Sequence, residues 1–260
     1  MLKGIGIVGD RVRHKFERQY TGVEADVAVF YGLAGNLKRV FRDYPAAGKT
    51  AVYIDLGYWG RKPPRLKFGG HHKISVNSRH PTAYFQRFKH DDSRIRVFGI
   101  TPGPWHSGSS VLVAGMGPKA AIAEGMQFQQ WDRASIADIK RSTKLPIIYR
   151  PKPSGPSRPI HGTILSSRDE SLDAVLAISH AVVTHHSNVA VDALVAGVPV
   201  FCVEGVAAPM AFRDFSMIDN PPKPEGREQL LADIAWCQWS VEEMGQGLPW
   251  RHLKNEGVVP

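Results

Sequence analysis

Short apolar runs alternate with amphipathic ones along the first sixty residues. GIGIVG (4–9) reads as a buried strand, DVAVFYG (26–32) as a second and TAVYIDLG (50–57) as a third. Between the last two, LAGNLKRVFRDYPAAG (33–48) carries apolar residues at helical spacing and is stopped by Pro45 and Gly48. Residues 58–107 are rich in Gly, Pro, His and Arg. They predict loops around one strand, HKISVN (72–77), and end in the turn-forming TPGPWHSGSS (101–110), expected to be a linker.

The pattern then restarts. SVLVAG (110–115), LPIIYRP (145–151), AVVTH (181–185) and VPVFCVE (198–204) read as strands. PKAAIAEGM starts a helix, and RASIADIKRST (133–143), SLDAVLAISH (171–180) and NVAVDALVAG (188–197) read as helices. EQLLADIAWCQWSVEEMG (228–245) predicts one long helix. Strands alternating with helices, without hairpin signals, predict an α/β protein with parallel sheets covered on both faces. Two Rossmann-like domains facing a cleft are expected. Residues 1–107 form the first, 108–226 the second, and 227–260 a C-terminal helix and tail packing back.

Composition narrows the class. Of 260 residues, 43% are hydrophobic and 22% charged, the balance of a soluble globular protein. No apolar run approaches the ~18 residues of a membrane span, and the N-terminus lacks a signal-peptide pattern. Cys202 and Cys237, the two cysteines, are expected to be buried thiols in a reducing cytoplasm. The net charge of +9 is unevenly placed, since residues 1–107 hold 19 Lys+Arg against 8 Asp+Glu. Such a field attracts a polyanion.

Candidate chemistry gathers where strands end. In a parallel α/β sheet, ligands bind beyond the carboxyl ends of the strands. AVVTHHSN (181–188) ends a strand and opens a helix, where free N–H groups and the helix dipole favour an anion. His186, Ser187 and Asn188 are therefore candidate phosphate contacts, and Asp192, one turn further in, a candidate for a sugar hydroxyl. YRPKP (149–153) places Arg150 and Lys152 at another strand end, where two cations can neutralise a departing nucleotide diphosphate. GMGPKA (115–120) follows a strand and opens a helix, so Gly115 and Gly117 let the backbone approach the ligand. GIGIVG fits the same glycine spacing but reads as the strand itself, and AAGKT (46–50) lacks the first glycine of a P-loop.

YRPKP, followed by a helix and AVVTHHSNVAVDALVAGVPVF (181–201), resembles the donor half of GT-B glycosyltransferases, most closely the capsule-polysaccharide and Kdo-transferase type. The resemblance covers about residues 110–210. It departs in having Lys152 where that pattern usually has His, and Asp192 where many relatives have Glu. YIDLGYWGR (53–61), RHPTAYF (79–85) and WCQWSVEEM (236–244) give the whole chain a likeness to small proteins of tailed bacteriophages, some of which glycosylate hydroxymethylated bases in DNA.

The resemblance implies a nucleotide-sugar co-substrate on the second domain and an acceptor on the basic first domain. The chain has no Asp-x-Asp metal anchor, so metal-independent transfer without a cofactor is expected. An inverting enzyme also needs a base near the acceptor hydroxyl. Asp55 and Asp10, each read at a strand end, are the candidates, with His71, His72 and His80 in nearby loops. Tyr58 and Trp59 suit stacking of a base or ring, Arg61 suits a phosphate, and His80 belongs to the same acceptor set. These histidines fit no metal-ligand spacing. A hydroxymethylated DNA base is the leading acceptor, and a surface polysaccharide or lipid-linked glycan the alternative. A nucleotide-sugar epimerase, an NADP-type Rossmann enzyme and a non-catalytic nucleic-acid binder are the remaining readings.

Overall fold

The structure, a computed structural model, describes residues 1–62, 69–85, 87–153 and 155–260. The chain forms two compact units. Unit 1 comprises Met1–Phe98 and Ala232–Pro260, and unit 2 is the continuous segment Gly99–Leu231. The boundary thus falls at Phe98 rather than after residue 107. The last 29 residues are part of unit 1 rather than a separate tail.

Unit 1 begins with helix α1 (Leu2–Val8), where the sequence pattern predicts a strand. The correction has a steric cause. A Cβ on Gly4 would collide with the Met244 carbonyl and lie 2.7 Å from the Gly247 nitrogen, so glycine permits backbone-to-backbone packing there. That contact overrides the weak helix propensity of a Gly-Ile-Val run. Strands β1 (Val27–Tyr31) and β2 (Thr50–Leu56) pair in parallel, joined by helix α2 (Leu37–Ala46). Leu37, Val40, Phe41 and Tyr44 of α2 recur at helical spacing and pack with Phe30, Ala51 and Tyr53 of the sheet.

Strand β3 (His71–Val76) departs from the expected parallel pattern and pairs antiparallel with β2. Two short helices follow, α3 (Thr82–Phe85) and α4 (Ser93–Val97). In this mixed sheet β2 lies between β1 and β3, and the fourth strand, beside β3, is Gln238–Ser240 from the end of the chain.

Unit 2 holds a five-stranded, all-parallel sheet. Its strands are β4 (Ser110–Ala114), β5 (Ile147–Arg150), β6 (Ile164–Leu165), β7 (Ser179–Thr184) and β8 (Val200–Cys202), in the order β6-β5-β4-β7-β8. Every residue of β4 and β8 is buried, as a sheet covered on both faces requires. Helices α5 (Pro118–Ala123), α6 (Gln130–Ser142), α7 (Leu172–Ala177) and α8 (Val189–Ala196) connect them. The core joins Val111, Val113, Tyr149, Val183 and Phe201 of the sheet to Ile136 and Ile139 of α6.

The expected linker 101–110 is anchored within unit 2. Gly103 N–H donates to the Val195 carbonyl (2.8 Å), His106 N–H to that of Gly197 (2.9 Å), and Arg227 Nη2 to that of Gly103 (2.6 Å).

The predicted helix 228–245 is instead three elements, α9 (Arg227–Trp236), β9 (Gln238–Ser240) and α10 (Val241–Gly245), followed by α11 (Leu248–Asn255). β9 pairs antiparallel with β3, His72 opposite Trp239. Ser240 and Glu243 form a capping box that restarts the helix. Cys202 and Cys237 are both buried and free. No helix among the described residues is long and apolar enough to cross a membrane.

Candidate functional site

The register of unit 2 sets Ala114 beside Arg150 on one side and Thr184 on the other, so β4, β5 and β7 end level. The three loops after them, each singled out by sequence, therefore lie side by side along one ridge at the carboxyl edge. Hydrogen bonds to backbone carbonyls lock it. Gly115 N–H donates to the Arg150 carbonyl (2.9 Å), and Thr184 Oγ1 donates to the Ala114 carbonyl (3.2 Å). Gly115 leaves no room for a side chain, since a Cβ would lie 2.6 Å from the Tyr149 hydroxyl.

Gly117 is the N-cap of α5, and a Cβ there would lie 2.8 Å from Lys152 Cδ. The exposed Lys152 thus runs its methylenes over the glycine loop. Arg150 is placed differently from the expected phosphate contact. Its Nη1 donates to Ser166 Oγ (2.7 Å) and its Nη2 to the Glu170 carbonyl (2.8 Å), so the guanidinium braces the chain between β6 and α7.

At the third loop, Thr184 Oγ1 accepts the Ser187 N–H (3.2 Å), and Ser187 Oγ accepts the Val189 N–H (3.3 Å). Asn188 occupies the N-cap of α8 without a side-chain cap bond, so Ser187 rather than Asn188 supplies the capping oxygen. Asp192 lies in the first turn of α8, half-buried. His186 is half-buried, its Nδ1 2.8 Å from Nδ1 of the buried His185 and 3.9 Å from Glu204 Oε1. His185 in turn packs edge-on against Trp131, with ring centroids 5.5 Å apart.

Asp132, which the sequence reading missed, organises this ridge from beneath. It is fully buried in the first turn of α6. Its carboxylate accepts the Met116 N–H (3.0 Å) and the Tyr149 hydroxyl (2.8 Å). Burial raises its pKa against the pull of those two bonds. Gln129, in a left-handed backbone conformation (φ 63°), donates to the same Tyr149 hydroxyl (3.2 Å) and to the Arg158 carbonyl (2.8 Å). The available signal was a lone acid in the first turn of an amphipathic helix, which local pattern alone reads as a helix-dipole partner.

In unit 1, Asp55 lies near the end of β2, half-buried, opposite Lys73 of β3. Tyr53 donates its hydroxyl to Asp55 Oδ2 (2.7 Å), and Leu56 N–H donates to Oδ1 (2.8 Å). Lys73 is buried. Its ammonium donates to the Arg79 carbonyl (3.0 Å) and lies 5.7 Å from the Tyr53 and Tyr58 ring centroids. Burial lowers its pKa to about 8, with Asp55 acting in the opposite sense.

Several acceptor-side expectations require correction. Asp10 ends no strand; it follows α1 and binds Trp250 Nε1 (2.6 Å) and Lys254 Nζ (2.8 Å), which hold its carboxyl below the usual range. It therefore fastens α1 to α11. Tyr58 is buried rather than exposed for stacking, at 6% exposure. Gln238 Oε1 accepts the N–H of both Tyr58 (2.5 Å) and Trp59 (2.9 Å), drawing that loop onto β9. Trp59 is half-buried against Phe98 (5.8 Å). Arg61 bonds the Gly57 carbonyl, while His80 forms a tight turn with Ser78. His71 packs on Phe98, and the buried His72 meets Tyr31 edge-on.

No protein-family model and no curated protein matches the chain. Solved structures share its fold, and two of them are KpsC structures. The β-Kdo 2,4-transferase KpsC structure of Thermosulfurimonas dismutans has a TM-score of 0.50 and 9% identity, over 79% of this chain and 78% of that one. The β-Kdo 2,7-transferase KpsC structure of the same organism has a TM-score of 0.50 and 13% identity, over 87% and 85%. The chain is thus an α/β protein, with one parallel and one mixed sheet, whose structural neighbours are glycosyltransferases.

Proposed function

We propose that the chain is a glycosyltransferase that holds a nucleotide-sugar donor on the carboxyl ridge of unit 2. One observation carries this reading. The glycine loop after β4, Lys152 after β5 and the Ser187–Asn188 start of α8 after β7 are brought level by strand register. The start of α8 offers an anion the positive end of its dipole, and Lys152 adds an exposed cation. Arg150 supports the ridge through Ser166 and Glu170. Transfer breaks the bond from the sugar's anomeric carbon to the phosphate oxygen as that carbon bonds the acceptor oxygen, and the negative charge leaves with the nucleotide. Lys152 and the α8 amides stabilise that charge, with no metal required on the ridge.

Unit 1 supplies the acceptor side in this reading, with Asp55 as the base that takes the acceptor hydroxyl proton. It contains 21 Lys+Arg and 12 Asp+Glu against 12 of each in unit 2, so the whole +9 surplus lies there. An anionic acceptor follows from that field. A surface glycan is the first choice, supported by the Kdo-transferase neighbours and by the burial of Tyr58. Hydroxymethylated DNA is the second, supported by the basic surplus.

The test is a titration with a panel of nucleotide sugars, followed by incubation with anionic oligosaccharides or hydroxymethylated DNA and mass analysis of the products. Lys152→Ala is expected to weaken donor binding by about tenfold to a hundredfold. Asp55→Asn is expected to lower transfer by about 10²–10⁴-fold while sparing donor binding. A wild-type protein that binds no nucleotide sugar sinks the reading. Binding to DNA that falls steeply with salt, together with sugar transfer to it, would select the second acceptor.

A further inference from the structure

None of the roles above uses His90, His252 or Glu256, three half-buried residues of unit 1. His90 lies before α4. His252 on α11 and Glu256 at its C-cap are one turn apart and so share a face. His90 Nε2 stands 2.6 Å from Glu256 Oε1, and His252 Nε2 3.5 Å from Oε2 of the same carboxylate. The three donor groups fall within 4.8 Å of one another. Their side chains are only 7%, 11% and 12% exposed. His252 Nε2 and Glu256 Oε2 are both buried without a hydrogen bond of good geometry, a state native interiors rarely leave uncompensated.

The surroundings fix the rings. Asp233 Oδ1 lies 2.9 Å from His90 Nδ1 and accepts the His90 backbone N–H at 2.9 Å. A carboxylate on the far nitrogen sets the tautomer that presents Nε2 as a lone pair, the usual support of a metal-ligating histidine. Trp236 stacks on both imidazoles, with centroids 5.5 Å and 5.1 Å away and interplanar angles of 22° and 28°. Its own Nε1 donates to the Asp91 carbonyl (3.0 Å). Charge also fits. The neighbouring cation Arg94, over the Trp239 ring at 3.9 Å, is neutralised by Glu243 through bonds of 2.8 Å and 3.2 Å. Asp233 and Glu256 then balance one divalent ion held by neutral imidazoles.

We propose that His90 Nε2, His252 Nε2 and the Glu256 carboxylate form a zinc-type metal site, with Asp233 as the residue that positions His90. Two imidazoles and a carboxylate are a zinc donor set. Bonds of about 2.0–2.2 Å in a tetrahedron place donors roughly 3.3 Å apart. The His252–Glu256 spacing already meets that, and the His90–Glu256 pair has only to open by under an ångström. The ion fastens α11 to the loop at His90, uniting the two chain segments that make up unit 1.

The experiment uses the full chain, stripped with a chelator and dialysed. It is titrated with Zn²⁺ by calorimetry and with Co²⁺ by visible absorption. One equivalent of zinc bound at micromolar affinity or tighter, a tetrahedral cobalt spectrum and a higher thermal midpoint with metal are expected. His252→Ala and Glu256→Gln should each weaken zinc by at least about tenfold, and Asp233→Asn by about tenfold. His186→Ala disrupts the other His-His-carboxylate group among the described residues and should leave zinc affinity unchanged. Where a variant of unit 1 fails to fold, the wild-type cobalt spectrum and the His186→Ala titration still decide. Absence of zinc binding overturns the site and leaves His90 as an imidazolium bridging two carboxylates. Loss of binding in His186→Ala, with retention in His252→Ala, overturns it equally.

Discussion

Unit 2 takes five parallel strands from one continuous segment, whereas unit 1 completes its sheet with Gln238–Ser240, which reaches His71–Val76 from the far end of the chain. In unit 2 the candidate ligand groups lie next to the strands that present them, so local motif and tertiary position coincide. In unit 1 the environment of several candidates is set by a remote partner, although Asp55, Arg61 and His80 bond near neighbours. Asp10 meets Trp250 and Lys254, and Tyr58 and Trp59 meet Gln238. A locally organised site is thus visible in sequence, while one organised by a returning segment is visible only after folding.

Three substitutions probe that contrast. The largest effect is expected from Asp132→Ala in unit 2. It leaves the Met116 amide and the Tyr149 hydroxyl buried without their acceptor, at about 4 kcal/mol in denaturant-measured stability. Donor binding should fall as well, because the glycine loop loses its anchor. A variant within about 0.5 kcal/mol of wild type would show that the ridge is organised without this carboxylate.

Lys73→Met in unit 1 comes next, read as pH dependence. The Lys73 pKa lies at about 8 in the folded protein and at 10.5 ordinarily. Between those values the unfolded chain binds more protons, so stability rises with pH through this window. Below about pH 8 the buried ammonium is a net cost. Relative to wild type, Lys73→Met should remove that slope, amounting to about 3 kcal/mol. Parallel pH profiles of the two proteins would refute the assignment.

Gln238→Ala is expected to be the mildest, at about 1 kcal/mol in thermal or chemical unfolding. The buried Tyr58 amide loses its acceptor, but Trp59 is only half-buried, and a buried Gln238 Nε2 without a partner is removed. Nucleotide-sugar binding should be unchanged, because the Tyr58–Trp59 loop belongs to the other unit. A matching fall in donor affinity would erase the proposed division of labour.

Apolar runs such as Val111–Ala114 and Ala181–Thr184 are strands in the structure because a doubly covered parallel strand is apolar at every position, a property written locally. The loops at Gly115–Gly117, Arg150–Lys152 and His186–Asn188 were legible for the same reason. The route of the Arg150 guanidinium to Ser166 and Glu170 was not, because a long side chain chooses among partners that only packing supplies. The break at Cys237 was half legible. Ser240 and Glu243 form a helix-start signature, but continuous helical periodicity through 228–245 masked it.

By itself, then, the sequence determined the α/β alternation, four of the five strands of unit 2 and the ridge of candidate anion contacts, since each depends on residues within a few positions of one another. Ile164–Leu165 was not among the expected strands. Tertiary structure decided that Leu2–Val8 is a helix, through the close approach of Gly4 to Gly247. It also decided that β3 runs antiparallel, that Gln238–Ser240 is a strand, and that His90 meets His252 and Glu256. Those outcomes turn on contacts between distant segments, where a short stretch takes the conformation its partner allows and a charge takes the partner that folding brings within reach.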